Sequence, residues 1–191
     1  MPGDEPEREG RAIAGRPRRY AALVPTLGPL EILGNKRRFT EYVEEHALGH
    51  WCPTTYKSIE DALFPCVIKR TDLNGGHGVE VAASREEAGQ LLESEPFAGH
   101  PCILQKEEPF TVEYVVHCVC RQGCLVWHTV YAFDFEKQHI RKAGSPQCTL
   151  RRATAPDGVL RDLEAFLLPL AYIGAVQCRL HVGFRGSPGG F

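Results

Sequence analysis

The sequence lacks several features, and each lack removes a class of protein. No run approaches 18 consecutive apolar residues, so no transmembrane helix is expected. The N-terminus has no apolar segment of the kind that forms a secretory signal. Asp4, Glu5, Glu7 and Glu9 also argue against a transit peptide. Lys plus Arg total 22 against 24 for Asp plus Glu, so no basic excess points to nucleic acid or an anionic membrane as partner. No Cys-x-x-Cys pair occurs among the eight cysteines, which weighs against a zinc ribbon or a thioredoxin motif. No internal repeat is visible. A cytoplasmic location is expected, with Cys66, Cys118, Cys120, Cys124 and Cys178 as reduced thiols in or beside apolar segments.

What is present is a globular composition. Apolar residues make up 43% of 191 and charged residues 24%, enough for one domain or a compact two-lobed one. Residues 1–19 hold little apolar content and read as a disordered tail, and residues 183–191 read as a flexible one. Between them, Asn35 is expected to cap a helix to about Ala47. "FPCVIKR" and "VEVAA" read as strands around a loop, "NGGHG". "SREE" at Ser84–Glu87 is a capping-box pattern that opens a helix to about Ser94. "CILQK", "TVEYVVHCVC" and "CLVWHTVYAF" read as strands, with Gln122-Gly123 turning the last two into a hairpin. Asp157 is expected to cap a helix to about Ala171, and "AVQCRLHV" is the last strand. This order predicts an α+β fold, an antiparallel sheet with helices beside it.

The most informative stretch runs from Pro65 to Ser84. A strand ends in Lys69, and a loop of Asn74, Gly75, Gly76, His77 and Gly78 follows before the next strand. Glycines permit positive φ and let backbone N–H groups converge into an anion nest. Lys69 adds a positive charge nearby, and the combination suits a polyphosphate. It is not a P-loop, because the lysine precedes the glycines on a strand. It is not a dinucleotide fingerprint, because the loop leads to a strand. Nor does any H-R-D or D-F-G of a protein kinase follow it. An ordinary glycine-rich hairpin turn beside an exposed lysine is the other reading of these residues.

From about Leu23 to Val182 the order of features resembles the ATP-grasp family. "LGNKRRFTEYVEEHALGHWCPTTY" is similar to that family's opening helix and loop, with Lys36 at its phosphate-reaching lysine. "VIKR" is similar to the second lysine strand, through Lys69, and "NGGHGVEV" to the phosphate-covering hairpin. "CILQKEEP" is similar to the interlobe hinge. The resemblance implies that Gln105 and Lys106 face adenine and that backbone groups of Lys106, Glu107 and Glu108 read its edge. It implies that Glu113 bonds the ribose hydroxyls. It implies a two-lobed fold, with about 50–106 as a smaller lid lobe and about 107–182 as the larger one, and it implies ATP and Mg²⁺ as cofactors. Arg141, Lys142, Arg151 and Arg152 in "RKAGSPQCTLRRA" are candidates for phosphate or a substrate carboxylate, with a solvated basic loop as the bland alternative.

The departures from the family pattern bear on function. Five residues after Gly174, where the family carries an acidic magnesium ligand, this sequence has Arg179. No Glu or Asn follows Gly174, so the Glu-x-Asn motif with the second ligand is not in this sequence. No metal ligand is assigned. Only about 30 residues precede Lys36, too few for the α/β domain that precedes it in most members. The fold expected is therefore an incomplete ATP-grasp unit. Its function is expected to be ATP binding, as in ligases that activate a carboxylate as an acyl phosphate for attack by an amine. The alternatives are a nucleotide-binding remnant without catalysis, and a structural or partner-binding domain. Eight histidines also raise a metal reading, with His117 and His128 paired across the hairpin; packed or rim side chains are the simpler account.

Overall fold

A computed structural model describes residues 23–139 and 148–182. The two expected tails, 1–19 and 183–191, lie outside that range, as do Arg141 and Lys142. Among the described residues, four α-helices and eight strands follow in chain order, besides a short 3-10 turn at Gly49–Trp51: α1 (Leu27–Gly34), α2 (Lys36–Glu45), β1 (Thr55–Tyr56), β2 (Cys66–Arg70), β3 (Val79–Ala82), α3 (Arg85–Glu93), β4 (Cys102–Lys106), β5 (Phe110–Arg121), β6 (Cys124–His139), β7 (Cys148–Ala153), α4 (Val159–Leu167) and β8 (Gly174–Val182). Among the described residues no helix is long and apolar enough to cross a membrane.

The strands form two antiparallel sheets. The first has the order β1-β4-β2-β3 and the second β7-β6-β5-β8. In the first sheet Lys69 stands opposite Ile103 and Val79, and Gln105 opposite Thr55 and Val67. Directly opposed side chains share a face, so Lys69, Ile103, Gln105 and Thr55 point the same way. The opposite face carries Cys66, Ile68 and Ala82, which pack against Ala88 of α3 and Phe97.

The second sheet is organised by strand alternation. Val116, Cys118 and Cys120 of β5, Val130 of β6 and Leu180 of β8 bury one face against Val159, Leu163 and Leu167 of α4. Those α4 residues recur at helical spacing, which makes one apolar stripe. The other face carries Glu113, Val115, His117 and Val119, with Arg179 and His181 opposite on β8. A third cluster joins Tyr42, Val43 and Leu48 to Phe166, and the Tyr42 hydroxyl donates to the Phe166 carbonyl oxygen at 2.5 Å. Thus α2 is anchored to α4 at one side. At the other, Arg37 Nη2 donates to the Cys102 carbonyl of β4 at 3.0 Å. The helix that begins with Lys36 therefore spans the two sheets.

Several local expectations meet their physical cause. Asn35 caps α2, its side-chain oxygen accepting from the N–H groups of Arg37 and Arg38. Ser84 caps α3 by accepting from the Glu87 N–H, while Glu87 reaches back to the Ala83 N–H at 2.7 Å. Other expectations are corrected. Asp157 does not cap α4; Gly158 does, at φ 82° and without a side-chain bond. His117 stands opposite Thr129, and His128 opposite Cys118, so the two histidines are on opposite faces of the hairpin. Three elements lie where none was expected, the first being the two-residue β1, too short to show an alternation. α1 contains Gly28, Pro29 and Gly34 and buries no residue, so it offers no apolar stripe to read. β7 is exposed at five of its six residues and alternates nothing.

Gln122 and Gly123 turn β5 into β6, both at positive φ (52° and 82°), as a tight hairpin requires. The Gly123 N–H donates to the Tyr172 carbonyl at 2.8 Å. A Cβ at Gly123 would sit 2.4 Å from Leu168 Cα and 2.6 Å from the Leu167 oxygen, both backbone atoms. Gly123→Ala is therefore expected to cost more than about 3 kcal/mol, through overlap added to the positive-φ strain. Urea unfolding with an unchanged m-value would measure it, and a loss below about 1 kcal/mol would contradict the packing at this corner.

Candidate functional site

A cavity of about 420 Å³ lies between α2 and the face of the first sheet that carries Lys69. Its walls include Lys36 and Phe39 from α2, Cys52 from the following loop, and Thr55, Lys69 and Gln105 from the sheet. That volume is in the range of small-molecule sites. Two lysines from separate elements thus reach one space.

Lys69 is held in position by its neighbours. Its ammonium donates to Gln105 Oε1 at 2.8 Å, and Gln105 Nε2 donates to Thr55 Oγ1 at 2.9 Å. Gln105 is itself buried. Burial pushes the Lys69 ammonium down to about 8, and the like charge of Lys36 pushes the same way, against a smaller opposing effect from Cys52. Lys36 is also lowered, again chiefly by burial and partly offset by Asp72. Its ammonium donates to the Leu73 carbonyl, at the root of the glycine loop.

The loop leaves β2 and returns as β3. Arg70 N–H donates to the Gly78 oxygen at 2.8 Å, which closes the base of the loop. At its tip the His77 N–H donates to the Asn74 oxygen at 3.2 Å, with Gly75 and Gly76 between them at φ 68° and 83°. Two consecutive positive φ values give the backbone pattern of a type I′ turn, which glycine adopts without strain. Asn74, Gly75 and His77 are exposed. Arg70 is clamped by Asp72, its Nε and Nη2 donating to the two carboxylate oxygens at 2.9 and 2.6 Å. That pairing holds the Asp72 carboxyl well below the usual range, at about 2.

At the end of β4 the backbone N–H of Lys106 donates to the Thr54 oxygen at 2.8 Å, and its exposed ammonium pairs with Glu108 at 2.6 Å. Glu107 is half-buried. Glu113 sits apart from the lysines, on the second sheet, fully buried. Arg179 Nη1 donates to one of its oxygens at 2.5 Å, and His181 Nε2 lies 3.1 Å from the other. Phe110 stacks on the His181 ring with centroids 3.8 Å apart. With its amide turned to accept, Gln177 takes the Nη2 and Nε donors of Arg179 at 3.0 and 3.2 Å. A groove of about 240 Å³ along β8 is lined by Arg179 and Gln177, and it shares Phe39 with the larger cavity.

The structure thus brings Lys36, Lys69 and Gln105 together beside the root of the glycine loop. It places Glu113 and Arg179 on the neighbouring sheet. Arg151 lies on β7 and is engaged by Asp134, donating from Nε at 2.6 Å and from Nη2 at 3.2 Å. Arg152 is exposed on the same strand. Sequence reasoning did not single out Phe39, Cys52 or Thr55 as cavity walls. Thr55 carries a usable signal, since it lies in the quoted "PTTY" segment, but its bond to Gln105 depends on β1–β4 pairing.

No protein-family model matches the chain, and no curated protein matches it in sequence. Solved structures match its fold. One is phosphoribosylamine–glycine ligase from Thermotoga maritima, at 17% identity and TM-score 0.64, covering 90% of this chain and 50% of that one. Another is N5-carboxyaminoimidazole synthase from Aspergillus clavatus, in complex with ADP and 5-aminoimidazole ribonucleotide, at 12% identity and TM-score 0.61, covering 85% and 44%. A third is L-amino acid ligase from Bacillus licheniformis, at 13% identity and TM-score 0.59, covering 84% and 39%. The chain therefore spans half or less of the length of these structures.

Proposed function

We propose, starting from the ATP-grasp fold that this chain has, that it binds ATP in the cavity between α2 and the first sheet. One observation carries the reading: Lys36 and Lys69 converge from separate elements beside the root of the glycine loop. Burial disfavours both ammonium charges. An anion in the cavity would supply the compensation that buried charge requires. Lys36 and Lys69 would neutralise phosphates, and the backbone of Gly75, Gly76 and Gly78 would lie over them. Residues 106–108, which follow the cavity wall at Gln105, would meet the base. The matched enzymes include ligases, and by that likeness the wider activity proposed is activation of a small carboxylate for attack by an amine.

Magnesium, which the resemblance implies, does not fit the described residues. It takes hard oxygen ligands in a near-octahedral set. Arg179 stands at the expected ligand position and offers only donors. The Glu113 carboxylate is engaged by Arg179 and His181. No group of three or more His, Cys, Asp or Glu among the described residues is arranged to hold a metal ion. No step of phosphoryl transfer is therefore assigned to these residues. This same observation favours a second reading, nucleotide binding without catalysis.

Calorimetric titration of the full chain with ATP tests the proposal. A dissociation constant on the order of 10 μM is expected, a value at which exchange in a cell would be rapid. Lys36→Gln is expected to weaken binding by about tenfold, the worth of one partly exposed charge contact. A folded sample that releases no heat with ATP would overturn the reading.

A further inference from the structure

Resting on the ATP reading above, we infer that the ligand is the metal-free polyphosphate rather than its magnesium chelate. The argument is one of charge and donor type. The cavity presents two lysines, and its walls include one carboxylate, that of Glu44, an exposed residue. Asp72 acts on Lys36 but is itself clamped by Arg70. On the neighbouring sheet, Arg179 lines the groove that shares Phe39 with the cavity. Its guanidinium is paired with the buried Glu113 carboxylate and bonded to the Gln177 amide oxygen, so the excess positive charge rests on the two lysines.

A chelated divalent ion removes two negative charges from a polyphosphate and brings a hydration shell that needs oxygen partners. Among the described residues this cavity sets two lysines against one carboxylate. Coulomb attraction to the lysines then favours the more highly charged, metal-free ligand. The chelate would place a hydrated cation beside Lys36 and Lys69, where the one carboxylate among the described cavity walls is that of Glu44.

The test uses the wild-type chain, with ATP titrated in EDTA and again in saturating magnesium chloride at constant ionic strength. The expected result is about tenfold tighter binding in EDTA, on the Coulomb argument above. Inorganic tripolyphosphate is expected to show the same preference, because the discrimination lies at the phosphates. Equal or tighter binding of ATP in magnesium overturns the inference and leaves the ATP reading intact. So does a preference seen with ATP but absent with tripolyphosphate. Absence of ATP binding in both buffers overturns the ATP reading itself and this inference with it.

Discussion

Replacing Lys69 by methionine is expected to abolish measurable ATP binding while stabilising the fold at neutral pH. The two effects have one cause. Burial lowers the Lys69 ammonium from 10.5 to about 8, so the folded state holds that proton less tightly than the unfolded chain does. Between about pH 8 and 10.5 the unfolded state binds more protons, and stability contributed by this group rises with pH through that window. Below pH 8 the full cost of the buried charge is present, on the order of 3 kcal/mol for a shift of this size. Losing the bond to Gln105 offsets about 1 kcal/mol of what methionine gains. The measurement is urea unfolding of both proteins from pH 7 to 10.5. The wild type should gain on the variant as pH rises, and the variant should be the more stable at pH 7. For the wild type, ATP affinity should fall above pH 8, because the anion needs the protonated amine. A variant that binds ATP as well as the wild type would remove Lys69 from the site.

Arg179→Met is expected to destabilise the chain by about 3–5 kcal/mol, because it strips the guanidinium from a fully buried carboxylate. Glu113 has no exposed surface, while the Arg179 side chain is 36% exposed. The arginine therefore sheds part of its desolvation cost to solvent, and Glu113 carries most of the penalty once the pair is broken. Arg179→Met combined with Glu113→Leu should recover most of the loss, since an apolar pair in that space needs no compensation. Guanidinium unfolding of the two singles and the double gives the coupling directly. A single-variant loss below about 1 kcal/mol, or a double that is simply additive, would show that the carboxylate does not depend on Arg179. Alone, Glu113→Gln is expected to be milder than Arg179→Met, because it removes the buried charge along with the pairing.

Much of the local structure was legible because it is set by short-range chemistry. Asn35 and Ser84 cap the helices they precede, since a side-chain oxygen two or three residues before an unpaired N–H can satisfy it in any context. The strand at Cys102–Lys106 and the hairpin at Gln122-Gly123 follow from alternation and from turn residues that tolerate positive φ. The cap at Gly158 was missed because Asp157 is the better cap by side chain, and only the chain path decides which residue holds the position. α1 and β7 were missed because neither buries a stripe, so neither leaves a period to read.

The sequence by itself determined the order of nine of the twelve helices and strands and the approach of a glycine loop to the lysine strand, because those features lie within a few residues of one another. It also determined that the position five residues after Gly174 carries an arginine. Tertiary structure alone decided which groups meet. Lys36 and Lys69 are 33 residues apart and share a cavity because α2 is pinned to α4 by Tyr42 and to β4 by Arg37. Gln105 supports Lys69 because β1, β4 and β2 pair in that register. Glu113 meets Arg179 because β5 and β8 are antiparallel neighbours, which sets His181 opposite Glu113 and Arg179 two pairs further along on the same face. Contacts of that kind depend on packing across the whole chain, and no window of sequence contains them.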